Sequence, residues 1–467
     1  MKRASTITLI ILITLQVVTA NYTTIRGIAP GAEGCEIWLV GHTDYISFCE
    51  KRLATATIDD KARFNLLVET KHTTYAIIAI ADYRRGIYIE PGNAYELVFD
   101  SIKFDSETEQ TNLFLDNTGF SYEIMNQASN ELNNIINLFN ADYNAFISNN
   151  YMALYDKRKS VIIPFIDTLK NKYSRFSNDF FETFAYYRIA YLESMVKNYR
   201  VEQSYNNYIR NKDFDFSHIE FMEFFNNLFD NYLSTRLKGY SYYDLIDVIN
   251  KKGSYHQLFT MLERDTLLRN VRIRELVIIK GLGELYNNMD FNQQNIGKIL
   301  KFIAASSKFE DHRSIAANLL YTLTRFNRGV TAPDFVLRDS TGNKYSLSDY
   351  QGSYLYLNFF KSVCIPCIAE FMALQSIKDN IEEGLIILSI CTDHDENSFQ
   401  AFFSEYSFDW QFLHFNRDYS LLDRYRIRSY PYYILIGPDG KILEYNAKQP
   451  SQRFNLWFRK IVAKREH

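Results

Sequence analysis

The chain has 467 residues, room for roughly two to four domains. A formal charge of −3 speaks against nucleic acid or an anionic surface as a partner. Aromatic residues are abundant, 35 Tyr and 36 Phe against 8 Pro and 18 Gly, which suits large cores or helix seams and identifies no ligand.

Residues 1–20 read as a secretory signal. Lys2 and Arg3 form the charged start, Ile7 to Val18 is mostly apolar, and Val18-Thr19-Ala20 offers a small-residue cleavage site. The apolar run is short for a span of ~20 residues. An uncleaved anchor is the alternative, and the sole route to membrane contact. No cysteine follows the expected cut, which argues against lipid attachment there. The mature chain is therefore expected outside the cytoplasm, in the periplasm.

Residues 22–104 read as a small β-sandwich. Candidate strands are Thr24–Ile28, Cys35–Val40, Tyr45–Cys49, Thr55–Ile58, Arg63–Val68, Tyr75–Ile80, Gly86–Ile89 and Tyr95–Phe99. Pro30-Gly31, Gly41-His42, Asp59-Asp60 and Pro91-Gly92 supply turns. If Gly41–Thr43 is a hairpin loop, Cys35 and Cys49 face each other and a cross-strand disulfide is sterically open. The alternative is two small buried side chains in a shifted register.

Residues 105–328 read as an all-helical domain of eight or more helices. No Gly occurs between Gly119 and Gly239, and no Pro between Pro164 and Pro333. Apolar residues from Phe221 to Leu233 recur three and four apart, and Phe180, Phe181, Phe184, Tyr187, Tyr191 and Met195 continue the style. Such stripes could line a peptide groove; core packing is the favoured reading.

Residues 331–467 alternate strands and helices. An opening hairpin spans Ala332 to Gly352. An aromatic strand, Tyr354 to Phe360, breaks at Lys361-Ser362, and Cys364-Ile365-Pro366-Cys367 then opens a helix. Strand Leu385–Cys391, helix Glu396–Tyr406, strand Gln411–Phe415, helix Leu421–Tyr425, hairpin Tyr432–Ile436 with Lys441–Tyr445, and helix Arg453–Ala463 follow. This order fits a thioredoxin-like α/β fold. A strand leading into Cys-x-x-Cys at a helix start is a redox layout. Free N–H groups and the helix dipole favour a thiolate on Cys364, and Cys367, one turn on, can close the ring. A zinc site would need two more Cys or His ligands at suitable spacing, and none stands out. Cys391, before Thr392-Asp393-His394-Asp395, reads as a buried strand cysteine ahead of a third redox thiol or metal ligand. No organic cofactor or metal is implied.

Ala332-Pro333-x-Phe335, Leu347-Ser348-Asp349, Gly352, Asn358-Phe359-Phe360, Cys364-x-Pro366-Cys367, Glu370, Tyr430-Pro431 and Gly437-Pro438-Asp439-Gly440-Lys441-Ile442 occur in an order that resembles the TlpA/ResA-like thiol–disulfide oxidoreductases. The β and helical segments resemble the N-terminal extensions of large TlpA-like proteins much more weakly. The resemblance implies that Cys364 attacks, that Cys367 resolves, and that Pro431 is the cis-proline facing them. Glu370 stands where the family often has an active-site acid. Asn358 stands where thioredoxins carry a buried Asp, and Val363 and Phe360 replace common tryptophans, which bears on substrate choice.

The function so implied is extracytoplasmic thiol–disulfide exchange with protein substrates, more often reduction, as in cytochrome c maturation. A membrane electron donor would recycle the dithiol. A scaffold protein with an auxiliary redox domain is the alternative from another class. A peroxidase of the peroxiredoxin group is less favoured, because Lys361 and Leu357 stand where that chemistry wants Thr or Ser and Pro.

Overall fold

The computed structural model describes residues 22–104, 120–126, 128–210, 212, 215–236, 239–378 and 384–463. The proposed signal, 1–20, lies outside them. No described helix is long and apolar enough to cross a membrane.

The N-terminal strands alternate in the way their sequences dictate. In Arg63–Glu69, Phe64, Leu66 and Val68 point inward while Arg63, Asn65, Leu67 and Glu69 face out. Among the described residues eight strands are formed here: β1 (Tyr22–Ile28), β2 (Glu36–His42), β3 (Glu50–Thr57), β4 (Arg63–Glu69), β5 (Thr74–Ile80), β6 (Tyr83–Ile89), β7 (Ala94–Phe99) and β8 (Tyr122–Ile124). They make two four-stranded sheets, β4-β1-β7-β8 and β3-β2-β5-β6, closed on a shared core that includes Ile25, Ile37, Leu66, Ile78 and Tyr95. The sandwich thus gains a strand at 122–124, beyond the expected end at 104.

Residues 45–49 are not a strand. Asp44 closes a turn instead, accepting from Ile46 N at 2.9 Å, Ser47 N at 2.6 Å and Ser47 Oγ at 2.6 Å. Tyr45 then inserts among the helices, and Asn226 Nδ2 donates to its carbonyl at 2.7 Å. This longer loop moves the hairpin register, so that His42 faces Glu50 and Glu36 faces Thr57. Cys35 and Cys49 therefore stand at opposite ends of the β2–β3 ladder, and both are free thiols.

Twelve α-helices are described between Leu132 and Thr324. Several begin on a side-chain cap, as where Asn178 Oδ1 accepts from Phe181 N at 3.0 Å and Asn292 Oδ1 from Asn295 N at 3.0 Å. Phe181, Phe184, Tyr187, Phe221, Phe225 and Phe229 are buried and Phe180 and Met195 partly so, which makes the stripes mainly core, although Tyr191 is exposed.

The C-terminal region is a mixed sheet in the order β10-β9-β13-β12-β11-β14-β15. Its strands are β9 (Val336–Arg338), β10 (Lys344–Ser346), β11 (Tyr354–Phe360), β12 (Leu385–Cys391), β13 (Gln411–His414), β14 (Tyr432–Ile436) and β15 (Ile442–Tyr445). β11 lies inside the sheet, parallel to β12 and antiparallel to β14. Its even-numbered side chains, Tyr356 and Phe360, join the clusters that contain helices Ile365–Ile377 and Phe454–Ala463. Its odd-numbered ones, Leu355, Leu357 and Phe359, join a cluster with helix Tyr419–Arg424 and with Trp38, Val40, Ala79 and Ala81 of the sandwich. The sandwich and the C-terminal sheet thus share one apolar seam, in which burying Val40 alone contributes roughly 1.5–3 kcal/mol.

Candidate active site

β11 ends at Phe360, the chain turns over Lys361–Val363, and Cys364 becomes the N-cap of helix Ile365–Ile377. Cys367 N donates to Cys364 Sγ at 3.2 Å. Pro366 sits in the first turn, where a missing N–H costs nothing. Cys364 and Cys367 are joined as a disulfide. Cys364 is half-buried and Cys367 fully buried, while Ile365 between them is 70 % exposed. An attacking group can therefore reach Cys364 but not Cys367.

The Tyr430–Pro431 peptide bond is cis. The β11–β14 register ends with Phe359 opposite Tyr432, which sets Pro431 level with Phe360, at the start of the dithiol turn. Tyr430 packs against the same cluster as Cys364 and Cys367. Glu370 is on the dithiol helix, but its carboxylate turns to the chain near the last helix. It accepts from Ser451 N at 3.0 Å and Ser451 Oγ at 2.6 Å, and so caps the short turn Pro450–Gln452.

Beneath the helix lies a neutral network. Asn358 Nδ2 donates to Ser389 Oγ at 2.8 Å, and Trp410 Nε1 donates to the same oxygen at 2.9 Å. Asn358 is fully buried and its Oδ1 has no partner. A carboxylate does reach the site from elsewhere. Asp393, fully buried after β12, accepts from Ser362 N at 3.1 and 3.2 Å and from the Cys391 thiol at 3.2 Å. It ties down the turn that presents Cys364. Its sequence signal was present, a Thr-Asp-His-Asp run at the carboxyl end of a strand, but nothing in the sequence aligned it with Ser362. Cys391 is buried in the dithiol cluster, as a strand cysteine should be.

Lys361 forms an ion pair at 2.9 Å with Asp82 of the sandwich, and its Nζ lies 6.0 Å from the Tyr430 ring centroid. Burial pushes the Tyr430 hydroxyl well above its ordinary pKa, with Lys361 opposing and Asp82 and Asp393 adding to the rise. His394 stacks on Phe104 with ring centroids 3.8 Å apart. Burial, helped by Arg417, lowers its pKa to about 4, so the imidazole is neutral at ordinary pH. Among the described residues no group of three or more His, Cys, Asp or Glu could hold a metal ion.

Residues 329–445 match the model of the AhpC/TSA family. The chain is 32 % identical over 120 residues to the thiol-disulfide oxidoreductase ResA of Bacillus subtilis (strain 168), which covers 25 % of this chain and 66 % of that protein. It is 28 % identical over 130 residues to ResA of Geobacillus thermodenitrificans, covering 28 % of this chain and 74 % of that one. The C-terminal region matches the thioredoxin-like ResA/TlpA family. Among solved structures, the thioredoxin domain of a thiol-disulfide oxidoreductase from Bacteroides vulgatus is 26 % identical, with 29 % of this chain and 98 % of that one covered at a TM-score of 0.26. The sandwich and the helical region lie outside the ResA matches. Within the ResA-like region, the Cys364–Cys367 pair has the arrangement of a thiol–disulfide oxidoreductase active site.

Proposed function

We propose that this chain is an extracytoplasmic thiol–disulfide oxidoreductase that reduces protein disulfides. The carrying observation is the pairing of a half-buried Cys364, capping a helix N-terminus, with a fully buried Cys367. The Cys364 thiolate attacks one sulfur of a substrate disulfide and expels the other as a thiolate. The Cys367 thiolate then attacks Cys364 Sγ, and the substrate leaves carrying two electrons. The chain is left as the disulfide seen here, and a thiol donor at the membrane reduces it again. Pro431 lines the approach to Cys364, and Glu370 places a carboxylate on the helix that carries both thiols. The charged and apolar start of residues 1–20 supports export to the periplasm.

The test is the reduction potential of the pair in dithiothreitol or glutathione buffers. A value near ~−270 mV or below is expected for a reductase, whereas ~−120 mV would mark an oxidant that inserts disulfides. The AhpC/TSA match favours peroxidase chemistry as the second reading. Consumption of hydrogen peroxide by the reduced chain, abolished in Cys364→Ser, would replace the first reading with it.

A further inference from the structure

The hairpin that joins β5 to β6 turns through two residues, Ala81 and Asp82. Ala81 has φ +56°, a left-handed conformation that such a turn normally gives to Gly or Asn. Glycine would relieve it but would remove the methyl group, and that group is buried. Ala81 belongs to the apolar seam that also holds Leu357, Phe359 and Tyr425 of the C-terminal sheet. The turn therefore carries backbone strain in order to dock. Docking delivers Asp82 to Lys361 at 2.9 Å, with the two side chains only 18 % and 13 % exposed. Lys361 is tied to the nucleophile's own turn, because its carbonyl accepts from Cys364 N at 3.1 Å.

We propose that Asp82, at the tip of the sandwich hairpin, is a positioning residue of the dithiol site that acts through Lys361. The idea rests on the redox reading above and adds that the N-terminal domain sets the charge met by Cys364. Lys361 is the cation nearest to Cys364 along the sequence, three residues before it. Unopposed, it would hold a thiolate too well, leaving a weak nucleophile and a more oxidising couple. Asp82 directs that charge away. Other titratable groups also lie around the turn. Asp393 lies behind Ser362, His394 is neutral at ordinary pH, Tyr430 keeps its proton, and Glu370 is bonded to Ser451. Asp395 and Arg417 lie further out, around His394.

The experiment uses the full chain, reduced, and follows the pH dependence of Cys364 alkylation by iodoacetamide, read peptide by peptide in a mass spectrometer. Four proteins are compared: wild type, Asp82→Asn, Lys361→Met and the double variant. Asp82→Asn is expected to lower the apparent pKa of Cys364 by about half a unit or more, roughly threefold more thiolate below the midpoint. Lys361→Met is expected to raise it, and the double variant to match Lys361→Met, because Asp82 then has no Lys361 to act through. Thermal melting of each protein checks that it folds. An Asp82→Asn profile that overlays wild type, or a double variant whose Cys364 pKa falls as far below that of Lys361→Met as Asp82→Asn falls below wild type, overturns the proposal. The two ideas fail separately. An unmoved profile with an intact reversible couple sinks the Asp82 role alone. A moved profile without any reversible couple would sink the oxidoreductase reading and leave the Asp82 coupling standing.

Discussion

Two regions of this molecule gather buried polar groups, and only one of them presents a reactive atom to solvent. In the helical region Glu275 accepts from His312 Nδ1 at 2.8 Å and also from Ser307 Oγ and Tyr255 Oη. Ser, His and Glu together invite a hydrolase reading. The connectivity forbids it, because Ser307 bonds the carboxylate and not the imidazole, and His312 Nε2 is buried with no partner. At the dithiol the inventory is poorer, yet Cys364 caps a free helix end with an exposed neighbour on one side. Access and connectivity make a site, and a list of titratable groups does not.

Substitution at each place should break the two regions apart in opposite ways. Cys364→Ser is expected to remove at least ~10³-fold of disulfide turnover, since the sulfur proposed to attack is lost, while the melting of the helical region stays put. Glu275→Ala should do the reverse. It strips three donors of their acceptor at once, so a loss of about 3 kcal/mol in denaturant titration is expected with the dithiol potential unchanged. Burial pushes the Glu275 carboxyl up, but the hydrogen bonds from His312, Ser307 and Tyr255 outweigh it and hold the pKa below the ordinary Glu value. That stability is therefore present above the unfolded pKa and lost as pH falls through the lower folded one. A change in potential in Glu275→Ala would mean that the two regions are coupled after all.

A pH effect sharpens the contrast at the seam between sandwich and helices. Glu220 accepts from Tyr88 Oη at 3.3 Å, and burial, with Glu223 adding, raises its pKa to about 8. The folded state then holds a proton that the unfolded state has already released. Stability is expected to fall as pH rises between the ordinary Glu value of 4.5 and about 8, with a slope approaching ~1.4 kcal/mol per pH unit. Glu220→Gln should flatten that slope. An unchanged slope in urea titrations at pH 5, 6.5 and 8 would place the effect elsewhere.

The C-terminal region was the most legible part of the sequence because its signals are local. A run of buried residues makes β12 at Leu385–Cys391, and Pro438-Asp439-Gly440 turns the last hairpin. The β2–β3 hairpin was misread for the opposite reason. Gly41-His42 looks like a turn, but what ends β2 is Asp44 gathering three donors, and what draws the loop outward is a pocket for Tyr45 in another domain. Asp393 and Asp82 escaped notice on the same ground. Each reaches the dithiol turn across a long sequence separation, through Ser362 and Lys361, and periodicity carries no information about such contacts.

Glu370 is where sequence resemblance and geometry pull hardest against each other. The resemblance makes it an acid for the thiols; the geometry makes it a cap for Pro450–Gln452 through Ser451. Glu370→Gln separates the roles, because the amide oxygen still accepts from Ser451 N while the charge is gone. The cap alone is worth about 1 kcal/mol, and most of it survives in Gln. A nearby carboxylate disfavours thiolates, so its removal should also lower the apparent pKa of the dithiol by a few tenths of a unit. The pH profile of substrate release from the mixed disulfide reads this directly. A shift toward lower pH with unchanged melting means that the carboxylate reaches the thiols from its place on Ser451. A profile that overlays wild type would make Glu370 a structural cap, and the proton leaving Cys367 would then go to solvent.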